Sequence, residues 1–182
     1  GKAVGPYFKD TPLKNTLSSA LDELQLDGDV SARLHLDIPL DGKITTAKGD
    51  VLLNRNSLFI KPINSTIKDL RGKFSFVNGN LKSEPLQATW FNQPLNIDFT
   101  TTEGEKAYQV AVNLDGNWQP ARIGVLPQQL SDALEGSLGW KGKVGIELPY
   151  GSGARYSVNL DGDLTHIAST LPPPLDKQAG KA

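Results

Sequence analysis

The sequence contains neither cysteine nor methionine. The first absence removes disulfides, thiolate metal sites and a cysteine nucleophile together. It leaves the compartment open, because a chain that buries a large core needs no staples in an oxidising space. The second absence means that the chain as given does not start at a natural initiator, so it reads as an excised fragment or as a mature chain without its leader. Long apolar runs are missing too. The longest are a few residues, as in Ser75-Phe76-Val77, against the roughly 18–20 that a membrane span takes, so any anchor is expected outside this sequence. Charge of one sign is also lacking: the net charge is −1, with no Lys/Arg cluster anywhere. That balance supplies no basic footprint for nucleic acid, which is excluded as a partner.

Histidine is scarce, with only two copies, His35 and His166. Two histidines without cysteine make a poor metal site, and neither has a constellation around it. Gly151-Ser152-Gly153 lacks the spacing of a nucleophile elbow and reads as a flexible turn. The carboxylate pairs Asp27/Asp29 and Asp161/Asp163 flank turn glycines, where acid–base work would need a pocket. Asn64-Ser65-Thr66 matches a glycosylation sequon by letters alone. The residues argue against an enzyme, and no cofactor is expected.

What is present is alternation. At 182 residues, 38% hydrophobic and 21% charged, the chain can bury a core as one domain or as one large piece of a bigger one. From Leu26 to Leu40, Val30, Ala32, Leu34, Leu36, Ile38 and Leu40 fall on one parity, with Ser31, Arg33, His35 and Asp37 on the other. This is the period-2 pattern of a half-buried strand, and at about 3.3 Å per residue it would span roughly 45–50 Å.

Residues 1–12 carry glycine and proline without periodicity and read as an opening loop. Leu13, Leu17, Ala20, Leu21 and Leu24 recur at helical spacing behind Pro12, giving an amphipathic helix of about three turns. After the long strand, Val51/Leu53 and Leu58/Ile60 read as short strands broken at Asn54-Arg55-Asn56. Leu70, Gly72, Phe74 and Phe76 run to Asn78-Gly79, the strongest short hairpin signal in the chain. Leu86, Ala88 and Trp90 form its return strand. Leu95, Ile97 and Phe99 follow, then Tyr108, Val110, Val112 and Leu114. Leu126, Leu130, Ala133 and Leu134 return to helical spacing, and Val144/Ile146/Leu148 and Tyr156/Val158/Leu160 give further strands.

Leu-Asp-Gly occurs at 26, 40, 114 and 160, and is expected to be a turn at a strand boundary rather than part of a calcium loop. Helix followed by long strand occurs twice, about 113 residues apart at the helices. The expected organisation is therefore an opening loop at 1–12, a β-repeat at 13–125, the start of the next repeat at 126–170, and a proline-rich linker or tail at 171–182.

The inward parity collects roughly two dozen apolar side chains, whose exposure at about 1.5–3 kcal/mol each would be costly. Periodicity alone admits a β-sandwich or barrel that covers itself. Two short helices are too small to cover so broad a sheet, and an open trough for acyl chains is the other solution.

The run Gly28–Leu40, the segment GKFSFVNGNLKSEPLQATWFNQPLNIDF at 72–99, and VNLDGDLTHIASTLPPPLDKQAG at 158–180 resemble the AsmA-like superfamily. Leu70, Gly72, Phe74, Phe76, Leu86, Ala88 and Pro94 stand in the expected places, while Asn92 replaces a frequent glycine. The resemblance implies a mainly β fold, with a long antiparallel sheet curved into an open hydrophobic groove and two short amphipathic helices. It also implies a segment of a periplasmic, inner-membrane-anchored bridge that carries phospholipid between the inner and outer membranes. The expected partners are acyl chains and, through the parent protein, both membranes, and cut sheet edges make an edge-to-edge dimer of the fragment plausible. The expected groove lining is Val30, Leu34, Leu36, Ile38, Phe74, Phe76, Leu95, Ile97, Phe99, Val110, Val112, Val144 and Ile146. The competing expectation is a structural or assembly module of the envelope with a closed β-sandwich core.

Overall fold

The computed structural model describes residues 24–39, 46–151 and 153–180. The helix expected over 13–24 lies outside them except for Leu24, which already opens a strand. The alternating stretches form β1 (Leu24–Asp27), β2 (Val30–Asp37), β3 (Thr46–Ile60), β4 (Ser65–Val77), β5 (Asn80–Ser83), β6 (Leu86–Trp90), β7 (Gln93–Glu103) and β8 (Ala107–Trp118). A six-residue helix, α1 (Gln128–Ala133), buries none of its residues and runs directly into β9 (Leu134–Gly136). β10 (Leu138–Pro149), β11 (Arg155–Asp163) and β12 (Ile167–Ser169) complete the described elements.

Ten strands make one antiparallel sheet, and β9 pairs with β12 in a small second one. In the large sheet β1 and β2 both pair with β3, β5 and β6 both lie between β4 and β7, and the order continues through β8, β10 and β11. β2 and β11 are not bonded to each other, so among the described residues this sheet has free edges rather than closing into a barrel.

The interruption at Asn54-Arg55-Asn56 does not end a strand. β3 runs through it as a bulge, with Arg55 at φ 59° and register shifts on both sides of Asn56. Asn56 explains how this is tolerated, being fully buried with every polar atom engaged. Its Nδ2 donates to Asp27 O (3.2 Å) and Asp29 O (3.1 Å), and its Oδ1 accepts from Asn54 N (2.8 Å). The irregularity continues across the neighbouring strands. Gly28 (φ 105°) separates β1 from β2, Asp69 (φ 54°) and Gly72 (φ 133°) bulge β4, and Glu84-Pro85 separates β5 from β6. These features form a transverse crease that fades at the uninterrupted β7. Bulges of this kind bend strands and increase their twist.

Asn78 (φ 52°) and Gly79 make the expected hairpin, but its return strand comes in two pieces, β5 and β6. Phe91 (φ 49°) and Asn92 (φ 59°) both take the left-handed region demanded by a two-residue hairpin, which asparagine tolerates in place of glycine. Leu-Asp-Gly ends β1 at 26–28, but at 114–116 and 160–162 it lies inside β8 and β11. The occurrence at 40–42 lies outside the described residues. The inner two place Gly116 and Gly162 on either side of Trp140 in register. A Cβ on Gly116 would come within 2.7 Å of Trp118 Nε1 and 3.0 Å of Trp140 Nε1, so glycine here makes room for indoles rather than for a turn.

The main core gathers Leu53, Ile67, Leu70, Leu86, Ala88, Leu95, Ile97 and Trp118. Beside it, Trp118 meets Trp140 at 4.6 Å between ring centroids, and Trp90 stacks on Phe91 at 4.7 Å. Trp118 Nε1 donates to Pro94 O (2.6 Å) and Trp90 Nε1 to Ser65 Oγ (2.7 Å), so two of the indoles are anchored as well as packed. At the far ends of β8 and β10, Tyr108 and Leu148 form a second, smaller core.

Candidate functional site

Paired residues of an antiparallel ladder share a face, so the register shows which side chains stand together. One row crosses the sheet as Ala32, Val51, Phe74, Ser83 and, through β7, Phe99, Val112, Val144 and Val158. The adjacent row contains Leu34, Gly49, Phe76 and Leu81, then Thr101, Val110, Ile146 and Tyr156. A third contains Val30 and Leu53, then Ile97, Leu114, Gly142 and Leu160. The rows cross eight strands, β2, β3, β4, β5, β7, β8, β10 and β11, so at about 4.8 Å per step they extend roughly 34 Å along the hydrogen-bonding direction.

Twelve of the thirteen residues expected to line a groove stand on this one face, and Ile38 lies just past the end of β2. Their surroundings differ. Leu95 (2% exposed) and Ile97 (7%) are packed inside the main core. Val30, Phe74, Phe76, Phe99, Val110, Val112, Val144 and Ile146 are half-buried. Leu34, Leu36 and Ile38 are exposed, at 57%, 51% and 62%. Three further residues on the same face, Tyr156, Val158 and Leu160, are exposed at 62%, 60% and 69%. The alternation of β11 carried their signal, since the three share one parity of the last long strand.

Two devices keep the middle of the face smooth. Gly49 leaves room for the Phe76 ring, and Phe74 meets Phe99 at 5.6 Å between centroids. The two polar residues in the rows are neutralised in place. Ser83 Oγ accepts from Phe99 N (2.8 Å), and Thr101 Oγ1 accepts from Leu81 N (2.8 Å) and meets Tyr108 Oη at 2.6 Å. Tyr108, 1% exposed, donates to Gly79 O (2.7 Å), and burial pushes its phenol above the ordinary value of 10.0.

The opposite face is wet. His35 pairs with Lys48 there, and the rows read Asn96–Asp115–Lys141–Asp161 and Asp98–Asn113–Lys143–Asn159. Asn96 Nδ2 donates to Asp115 Oδ2 (2.9 Å), and Asn113 Nδ2 to Asp98 Oδ1 (2.8 Å). Lys73 pairs with Glu84 at 2.7 Å, and that contact holds its ammonium above the usual value. Among the described residues no group of three or more His, Asp or Glu is placed to hold a metal ion. His35 and His166 are both exposed. The arrangement offers an extended apolar surface on one face and a polar one on the other.

No helix among the described residues is long and apolar enough to cross a membrane. No solved structure matches this chain. A relative from Escherichia coli (strain K12), named intermembrane phospholipid transporter YhdP, is 66% identical over 181 residues, which cover 100% of this chain and 14% of that protein. The chain thus spans about one-seventh of the length of the curated relative it matches. The family model described as YhdP protein matches residues 1–182, and with that match over every residue the chain belongs to the YhdP family.

Proposed function

We propose that this chain is a stretch of a conduit that passes phospholipid between the inner and outer membranes, with acyl chains lying along the apolar face and headgroups kept to its margins. The observation that carries the reading is the continuity of that face: one register brings apolar residues of eight strands together, and its two ends, Leu34/Leu36 and Tyr156/Val158/Leu160, remain exposed. A sheet curved into a trough along these rows would hold aliphatic tails by burial alone, which suits a ligand with few polar groups to select. The name of the E. coli relative supports the substrate class. In this reading the parent protein is anchored in the inner membrane and crosses the periplasm, and the chain itself performs no catalysis.

A second reading, an envelope assembly module with a closed core, draws on the full burial of Leu53, Ile67, Leu70, Leu86, Leu95 and Ile97. The free edges of the sheet and the exposed rows count against closure.

The deciding experiment is lipid loading of the full-length protein, read by native mass spectrometry and by uptake of a fluorescent phospholipid, in the parent sequence and in Leu36→Asp. Leu36 is half in water, so a carboxylate there can stay hydrated and leave the fold intact. The expected result is a folded variant with lost loading. A lipid-free parent protein that takes up no phospholipid, or a Leu36→Asp variant that loads normally, overturns the conduit.

A further inference from the structure

Two glycine-jointed strand pairs, β1–β2 and β9–β10, are built alike. In the first, Leu26-Asp27-Gly28-Asp29-Val30 passes from short β1 to long β2. In the second, Leu134-Glu135-Gly136-Ser137-Leu138 passes from short β9 to long β10. The glycine is left-handed both times, with φ 105° at Gly28 and 104° at Gly136. β2 pairs with the first part of β3 as β10 pairs with β11, and β1 pairs with the last part of β3 as β9 pairs with β12. Carrying the register across makes Leu53 the counterpart of Leu164, and Leu58 the counterpart of Ser169.

The correspondence continues into the C-terminal residues. After β3 a proline-bearing turn, Lys61–Ile63, reverses the chain so that Ile67 of β4 sits opposite Leu58. After β12 a turn through Pro172, Pro173 and Pro174 brings Lys177 opposite Ser169. Lys177 N donates to Ser169 O (3.0 Å) and Ser169 N to Lys177 O (2.8 Å). β4 next passes Gly72, left-handed at φ 133° and opposite Leu53, and continues as Lys73 and Phe74 along the outer edge of β3. The tail passes Gly180, left-handed at φ 83°, whose N–H donates to Thr165 O (2.7 Å) beside Leu164. Lysine follows each glycine.

One difference separates the two. Leu53, covered by its neighbours, is 4% exposed, whereas Leu164 is 54% exposed beside β11, whose nine residues are all exposed and whose outer edge pairs with no strand among the described residues. A long regular edge without proline or lysine is an open template for another strand.

We propose that Leu175–Gly180 is the beginning of the next β4-like strand, and that the polypeptide following it runs back antiparallel along β11, covering Leu164 and extending the apolar face beyond Tyr156, Val158 and Leu160. The occupant of the β11 edge is thus the same chain, in keeping with a relative of which these residues make up only 14%. The proline-rich stretch at 171–174 is the reversal between two strands of the sheet, not a tether leaving it.

The test is hydrogen exchange of the full-length protein, comparing peptides over 155–163 with peptides over 46–53. The expected result is comparable protection of the two. Gly180→Val, which strains a left-handed position, should then speed exchange of 155–163 by about tenfold or more without affecting 46–53. If that variant does not accumulate, Lys177→Pro removes the N–H that reaches Ser169 and is read the same way. Fast exchange of 155–163 in the parent protein overturns the proposal. So does protection that depends on protein concentration, which would assign the edge to a second copy, and so does indifference to both substitutions. The readout involves no lipid, so its failure and a failure of the conduit reading are distinguishable.

Discussion

Phe76 lies across the backbone of Gly49: a Cβ on the glycine would come within 2.8 Å of Phe76 Cζ and 2.9 Å of Cε1, and would also meet the Arg33 carbonyl. The ring occupies the space that a side chain on β3 would otherwise take, between Leu34 on one side and Leu81 on the other. Gly49→Val should therefore displace Phe76 and open the β2–β3 pairing. The expected loss is about 2–3 kcal/mol of stability by urea denaturation, in the range of overpacked cores. An unchanged midpoint would mean that the ring has another place to go.

Tyr108 ties β8 to the Asn78-Gly79 hairpin across the intervening β7, through its bond to Gly79 O and its contact with Thr101. Tyr108→Phe should cost about 1–2 kcal/mol, with faster amide exchange at residues 78–81 as its local sign. The same site sets an alkaline limit. The buried phenol has a folded-state pKa above its unfolded value, so its contribution is complete below pH 10.0 and is lost as the pH rises through the folded value. Tyr108→Phe should remove that part of the alkaline loss, as seen in denaturation midpoints followed between neutral pH and pH 11.

Asn56 is the pin of the crease. Asn56→Ala leaves the Asp27 and Asp29 carbonyls and the Asn54 amide without their partners, and about 2–4 kcal/mol should be lost. Asn56→Asp should be worse than alanine, because it aims a carboxylate at two carbonyl oxygens inside a fully buried site. Denaturation of the two variants side by side checks the order, and an aspartate variant as stable as the parent would contradict the assigned bonds.

Two aspartate substitutions on the same face should behave oppositely. Val158→Asp, at a position 60% exposed, should leave stability within about 1 kcal/mol and act on lipid uptake alone. Ile97→Asp, at a position 7% exposed within the main core, should unfold the protein at neutral pH. Circular dichroism, with uptake assayed in parallel, separates the two outcomes.

The strands were legible because parity is a local property. Val110/Val112 and Val144/Ile146 announce their face by alternation, and the register then puts them side by side. What covers a face is not local, so Leu95 and Leu34 look equivalent in sequence although one is sealed in a core and the other stands in water. Asn54-Arg55-Asn56 reads as a terminator because polar residues end most strands, and only the carbonyls of Asp27 and Asp29, remote in sequence, turn it into a bulge. Gly116 and Gly162 misled for the opposite reason. Glycine after Leu-Asp suggests a turn, but both of these lie inside strands, where a Cβ on Gly116 would meet the indoles of Trp118 and Trp140 and a Cβ on Gly162 would come within 3.2 Å of Leu138 Cδ1. The pairing of Lys177 with Ser169 was invisible behind three prolines that resemble a linker.

The rows run along the hydrogen bonds, at right angles to the backbone. Whatever slides along them meets the strands one after another, each as a separate rung some 5 Å beyond the last. In the proposed conduit, passage along such a ladder adds like resistors in series: the tightest rung dominates the whole, however permissive the others are. If acyl chains pass along these rows as proposed, a charge at a half-buried position such as Val112 on β8 stands in the path of every chain that follows its row, whatever the other strands offer.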